Sequence, residues 1–85
     1  MASRVLPLLG LLVAATGAAH FAVPETFEQV TKPVFPDDTR QWVLRNGATE
    51  VALGLAILPK RTRKFGVLGL LGYTGWLASR VAKTR

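Results

Sequence analysis

The stretch that decides the fold class is the apolar run at residues 5–23, VLPLLGLLVAATGAAHFAV. It holds nineteen residues and no formal charge when His20 is neutral. As a helix it is about 28 Å long, at about 1.5 Å per residue. That length is close to the roughly 30 Å hydrocarbon core of a bilayer. We therefore expect a membrane-spanning helix over about residues 5–23.

The same run has a second interpretation, as a cleaved secretory signal within residues 1–19. Arg4 would then form the basic n-region, Leu6–Ala15 the apolar segment, and Gly17-Ala18-Ala19 a small-residue cleavage site. The apolar run continues past that site to Val23, which favours the membrane span.

Composition excludes several classes of protein. A chain of 85 residues suits a single domain, placed at residues 1–85. The chain has no cysteine, which excludes a disulfide scaffold, thiol catalysis and thiolate metal sites. The net charge is +6, but the cations are scattered, with no basic helix face and no stacking platform. Nucleic acid is therefore not an expected partner, whereas the lipid bilayer is.

Beyond the first run, apolar and polar segments alternate. A polar connector at residues 24–41 carries three prolines and four of the five acids, with at most a short amphipathic turn at residues 26–31. A second apolar stretch covers about residues 42–58, a basic turn residues 59–64, and a third apolar stretch about residues 65–82. The pattern predicts an all-α protein, a transmembrane bundle of three helices.

Glycines and cations predict how such helices pack and orient. Small residues let membrane helices approach closely, and the expected packing positions are Gly10, Gly17, Gly54, Gly66, Gly69, Gly72 and Gly75. The basic turn determines topology or binds lipid headgroups through Lys60, Arg61, Arg63 and Lys64. Short basic loops stay inside, so the turn and the N-terminus are expected on the cytoplasmic side of a bacterial inner membrane, in a multi-pass protein.

Three short motifs resemble the DoxX-like family of small bacterial membrane proteins. They are GAAHF at residues 17–21, NGATEVALG at residues 46–54 and PKRTR at residues 59–63, with a proline-bearing connector between the first two. The resemblance covers about residues 5–80. Asn46 stands where that family usually has serine, and the family usually has four helices. The resemblance therefore implies a DoxX-like bundle that lacks its last helix, and a link to quinone-dependent sulfur oxidation or oxidative-stress complexes.

Four polar residues form a candidate intramembrane cluster: His20, Asn46, Glu50 and Tyr73. A carboxylate within a membrane must be paired, protonated or hydrated, and Tyr73 lies at a depth similar to that of Glu50. The cluster either holds helices together or handles protons, since histidine titrates near neutral pH. His20 and Glu50 lie a turn or more apart in depth, so no metal site is expected.

No catalytic constellation is present, and the chain is not expected to be an enzyme on its own. The first functional hypothesis is a non-catalytic accessory subunit of a larger membrane complex or a homo-oligomer, without a cofactor. The alternative is a quinone-linked redox or proton-handling module of DoxX-like type. That alternative requires a cleft where His20, Glu50 and Tyr73 converge, although so small a bundle leaves little room for a deep pocket.

Overall fold

A computed structural model describes residues 2–84, with side chains from Arg4 onward, so Met1 and Arg85 of the expected domain lie outside it. The described chain forms four helices: α1 (Ala2–Ala22), α2 (Pro24–Thr31), α3 (Thr39–Ile57) and α4 (Arg63–Lys83). The two stretches predicted at about residues 42–58 and 65–82 correspond to α3 and α4.

The prediction of a three-helix transmembrane bundle is wrong. The described chain has four helices, and within residues 2–84 only α1 is long and apolar enough to cross a membrane, over Arg4–Ala22 with a mean hydropathy of 1.8. Charged side chains lower the hydropathy of α3 and α4, and the glycines of α4 add little apolar surface. A single candidate span does not support a multi-pass protein.

The connector is more ordered than the sequence suggested, because it contains the eight-residue helix α2. Pro24 is in its first turn, where a missing N–H costs no helical hydrogen bond and the fixed φ favours a helix start. The N–H groups of Lys32 and Phe35 donate to the carbonyls of Glu28 and Thr31, each at 2.8 Å, and turn the chain toward α3. An ion pair between Arg40 and Glu28 then ties α2 to α3.

Glycines bring α1 and α3 into backbone contact. A Cβ atom added to Gly17 would lie 2.6 Å from the Gly47 carbonyl oxygen, and one added to Gly10 would lie 2.8 Å from that of Gly54. The seven-residue spacing on both helices keeps each pair on one face, and the order of the contacts makes the helices antiparallel. No side chain larger than a hydrogen atom fits at these crossings without a backbone shift.

Helix α4 packs against α3 at one end and is open further along. A Cβ atom on Gly66 would lie 2.7 Å from a side-chain carbon of Ile57, and one on Gly69 would lie 2.6 Å from Leu53. No described atom lies within 4 Å of a Cβ placed on Gly72 or Gly75. The glycine band of α4 therefore divides into a packed half and an unpartnered half.

The turn between α3 and α4 is held by its own side chains. Arg63 donates from Nε to the Ile57 carbonyl and from Nη2 to the Leu58 carbonyl, each at 2.8 Å. The Thr62 hydroxyl donates to the Ala56 carbonyl at 2.6 Å. These bonds satisfy carbonyls that the end of α3 leaves without helical partners. Arg63, which the sequence assigned to topology or headgroups, therefore caps α3.

An aromatic cluster closes the opposite end of the bundle. Phe35 stacks on Trp42 with ring centroids 4.5 Å apart, and Trp76 of α4 lies 5.9 Å from both rings. The Arg80 guanidinium lies over Phe35 at 4.6 Å, within cation–π distance. Phe35 is also one of the few buried large apolar side chains of the described chain, with Val43 and Ile57.

Candidate functional site

A cavity of about 200 Å³ lies between α2 and α4, with α3 as its floor. All four residues of the polar cluster predicted from the sequence line it: His20, Asn46, Glu50 and Tyr73. The remaining lining is mainly apolar and comes from α2, the loop after it and the second half of α4. Helices α2 and α4 do not contact each other in the described chain, so the cavity opens between them. The cavity is small and open on one side, so the expectation that the bundle has little room for a deep pocket stays a prediction.

The ring of His20 is fixed by a backbone hydrogen bond. Nδ1 lies 2.8 Å from the Thr16 carbonyl oxygen. A carbonyl oxygen only accepts, so Nδ1 carries the proton and donates. In a neutral ring Nε2 is then an acceptor, and it faces Oε2 of Glu50 at 3.8 Å. Phe27 of α2 stacks on the imidazole with ring centroids 3.8 Å apart, so one face of the ring is covered.

Glu50 is set to hold a proton. Burial raises the pKa of its carboxyl above the usual value of 4.5, because desolvation disfavours the carboxylate. The positive charge of His20 and the hydroxyl of Tyr73 act in the opposite direction and are the smaller effects. The protonated, neutral form of the carboxyl is therefore favoured more than in a free glutamate.

Tyr73 brings a hydroxyl donor to the cavity. Its buried oxygen forms no hydrogen bond of normal geometry within the described chain, although the Glu50 carboxyl is close enough for each group to shift the pKa of the other. Burial, and then the neighbouring Glu50 carboxylate, raise the pKa of the phenol well above its usual value, so the hydroxyl stays protonated. A buried hydroxyl without a partner carries a desolvation cost of about 1–3 kcal/mol, which a ligand acceptor would remove.

Asn46 completes the polar wall. It lies one helical turn before Glu50 on the same face of α3 and is only 8% exposed. Its amide supplies both donors and an acceptor. Among residues 2–84, no group of three or more His, Asp or Glu side chains is arranged to hold a metal ion. The site therefore offers hydrogen-bonding groups and a carboxyl that favours its protonated form beside apolar surface, which suits a neutral, partly apolar molecule.

Two participants were missed at the level of sequence. Gly47 lies against the Cβ atom of His20, at 2.5 Å from an added Cβ, and so lets the histidine reach the cavity. The sequence does indicate a packing role for Gly47, since Gly47 and Gly54 repeat the seven-residue spacing of Gly10 and Gly17. Phe27 carried no signal, because its role depends on how α2 folds back over α1.

Comparison with known proteins gives a family and no function. A family model described as "Domain of unknown function (DUF8561)" matches residues 9–84. None of the curated proteins and none of the solved structures compared matches the chain. The match covers nearly the whole chain, so the protein belongs to the DUF8561 family. The DoxX-like resemblance stays a prediction.

Proposed function

We propose that this DUF8561 protein is a small membrane-associated module that binds a quinone headgroup and holds a proton beside it. It supplies binding and proton positions and no catalysis of its own. The observation that supports the proposal is the convergence of His20, Glu50 and Tyr73 on one largely apolar cavity. The DoxX-like resemblance points the same way.

Association with a membrane is supported by the exterior of the bundle. Besides α1 with its candidate span, α4 leaves several large apolar side chains exposed. Water-soluble monomers rarely expose contiguous apolar patches of more than a few hundred Å². The exposed side chains of the two helices are Val5, Leu8, Leu11, Leu12, Phe21, Phe65, Leu68, Leu71, Trp76 and Val81.

The cavity matches a single ring in size and chemistry. Its volume of about 200 Å³ is somewhat above the roughly 150 Å³ of an engineered cavity that binds benzene. A quinone presents carbonyl oxygens that accept hydrogen bonds, and the unpartnered Tyr73 hydroxyl is a donor for one of them. A protonated Glu50 carboxyl, which also lines the cavity, is a second donor. A lipophilic tail can leave through the opening between α2 and α4.

Tryptophan fluorescence provides the test, because the two tryptophans of the chain lie next to the cavity wall. Trp76 is 6.3 Å from the Tyr73 ring, and Trp42 stacks on Phe35, which lines the cavity. Titrating a short-chain benzoquinone into the protein in mild detergent should quench the emission with saturation. Tyr73→Phe, which keeps the ring and removes the hydroxyl, should weaken binding by about 2- to 10-fold, the effect of one lost hydrogen bond.

Thr74→Ala serves as the matched control, since Thr74 is the exposed neighbour of Tyr73 on the same helix and does not line the cavity. Its titration curve should overlay that of the wild type. Equal quenching constants for the wild type, Tyr73→Phe and Glu50→Gln would show that the quinone quenches from outside the cavity, and would end the proposal.

A second candidate is the accessory subunit, which is favoured by the open half of α4. Gly72 and Gly75 meet nothing within 4 Å, and Leu68 and Leu71 beside them are exposed. Small residues on a helix face allow a second helix to approach closely. A mild-detergent purification of the tagged protein from its own membrane should then retain other subunits in fixed stoichiometry. Gly72→Leu should release them while quinone binding is unchanged, and retention by that variant would contradict this candidate.

A further inference from the structure

We infer that the turn end of the bundle is a docking surface for an anionic lipid surface. We call it the basic–aromatic patch and define it as Lys60, Arg61, Lys64 and Phe65. The inference rests on the proposed association with a membrane and adds which part of the protein contacts headgroups, and of which charge.

The charge at this end is of one sign. Arg4 and the four cations of the turn lie here, and the acids of the chain lie on α2, in the loop after it and midway along α3. Arg63 donates its hydrogen bonds to carbonyls of α3 and its cap, which fixes the turn, so it is not counted in the patch. Lys60, Arg61 and Lys64 are exposed and form no ion pair with any residue of the described chain. Each such cation is available to an external anion.

The helix ends make this charge unfavourable within the isolated protein. Both α1 and α4 begin at this end, and neither has an acid in its first turn. A helix N-terminus carries a partial positive charge, so acids are preferred there and cations are repelled. Here α4 instead begins with Arg63 and Lys64. An anionic surface outside the protein would provide the negative charge that is missing from the first turns of α1 and α4.

Apolar side chains beside the cations identify the source of that charge as a lipid surface. Phe65 is 64% exposed and directly follows Lys64, whose Nζ lies 5.7 Å from its ring centroid. Leu68, one turn further, is 62% exposed. Free phosphate or a nucleic acid backbone would use the cations and leave these side chains in water. A headgroup layer takes both, since cations bind its phosphates while aromatic and aliphatic side chains enter the acyl boundary.

Vesicle flotation of the full-length protein tests the inference. Partition from dilute detergent onto phosphatidylcholine vesicles is compared with partition onto vesicles containing one third phosphatidylglycerol. Each cation near an anionic surface contributes about fivefold in affinity at moderate salt. The wild type should therefore prefer the anionic vesicles by roughly tenfold or more, and the preference should shrink as salt rises. The double variant Lys60→Gln/Lys64→Gln should lose most of it.

The matched control is Lys32→Gln/Lys83→Gln, which removes the same charge from exposed lysines at the other end. An equal loss of preference in both double variants would mean that net charge alone is responsible, and would overturn the inference. Equal binding of the wild type to neutral and anionic vesicles would overturn it as well, while leaving the proposed membrane association intact. Failure to bind either kind of vesicle would overturn the docking inference and the proposed membrane association together.

Discussion

Nε2 of His20 lies 3.8 Å from Oε2 of Glu50, across the interface between α1 and α3. The opposite ring nitrogen is occupied by the Thr16 carbonyl, so the imidazole cannot rotate without losing that bond. The two helices are themselves held at fixed separation by the contact of Gly17 with Gly47. The packing of small residues thus sets the distance between the imidazole and the carboxyl.

The protonation of Glu50 predicts how stability depends on pH. Because the pKa of Glu50 is raised in the folded state, folding binds a proton that the unfolded chain releases near pH 4.5. The stabilising effect of the proton is therefore fully present below pH 4.5 and is lost as the pH rises through the raised pKa. Glu50→Gln stays neutral, so its free energy of unfolding should exceed that of the wild type at pH 8, and the difference should close toward pH 4.

Thermal unfolding in mild detergent at a series of pH values measures this difference. Asp37→Asn, which removes an exposed acid that does not line the cavity, should show no such pH-dependent gain. The positive charge of His20 and the Tyr73 hydroxyl oppose the raised pKa, so His20→Gln should enlarge the effect of Glu50→Gln. A wild-type protein that gains stability between pH 5 and pH 8 relative to Glu50→Gln would contradict the assignment.

Alanine substitutions at two glycines distinguish the effect of packing on stability from the effect of helix propensity. An added methyl at Gly17 meets the Gly47 carbonyl at 2.6 Å, whereas one at Gly72 meets nothing within 4 Å. Gly17→Ala should therefore destabilise the protein by about 1–3 kcal/mol through overpacking. Gly72→Ala should stabilise it by roughly 0.5–1 kcal/mol, since alanine favours the helix. Equilibrium unfolding in detergent checks both, and the same sign for the two variants would be inconsistent with the helix contacts described.

The guanidinium of Arg63 is expected to stabilise the turn strongly. Arg63→Ala removes two charge-assisted hydrogen bonds to α3 carbonyls, each worth about 1.5–3 kcal/mol. Arg61→Ala removes the same charge from an exposed side chain and should change stability by no more than about 0.5 kcal/mol. Measured unfolding free energies should differ accordingly. Similar losses in the two variants would mean that charge, and not capping, explains the contribution of Arg63.

Arg80 should bind α4 to the aromatic cluster. Arg80→Gln removes a guanidinium 4.6 Å from Phe35 and should cost about 0.5–2 kcal/mol. It should also shift the tryptophan emission, because Trp42 and Trp76 each lie 6.0 Å from the same group. Lys83→Gln, an exposed charge three residues further on α4, is the control and should leave the spectrum unchanged.

Features that depend on local sequence are predictable here, whereas those that depend on tertiary contacts are not. Three long helical segments were visible as apolar stretches. Helix α2 was underestimated because the three prolines of the connector suggested a linker, although its own proline, in the first turn, favours a helix. Membrane crossing was overestimated for α3 and α4, since apolar residues were weighed above the charges among them. The four polar residues were selected by depth along their helices, and the structure places them around one cavity. The capping by Arg63 and the stacking of Phe27 depend on tertiary geometry that no spacing encodes.

The contact of α1 with α3 joins segments that are made at different times. Gly47 follows Gly17 by 30 residues. At about 5–20 residues per second, α1 is synthesised roughly 2–6 s before the surface it packs on. For those seconds the leucines of α1 have no partner on α3. The pairing that locks His20 beside Glu50 is therefore a late event in biosynthesis, and the early fate of the chain depends on α1 alone.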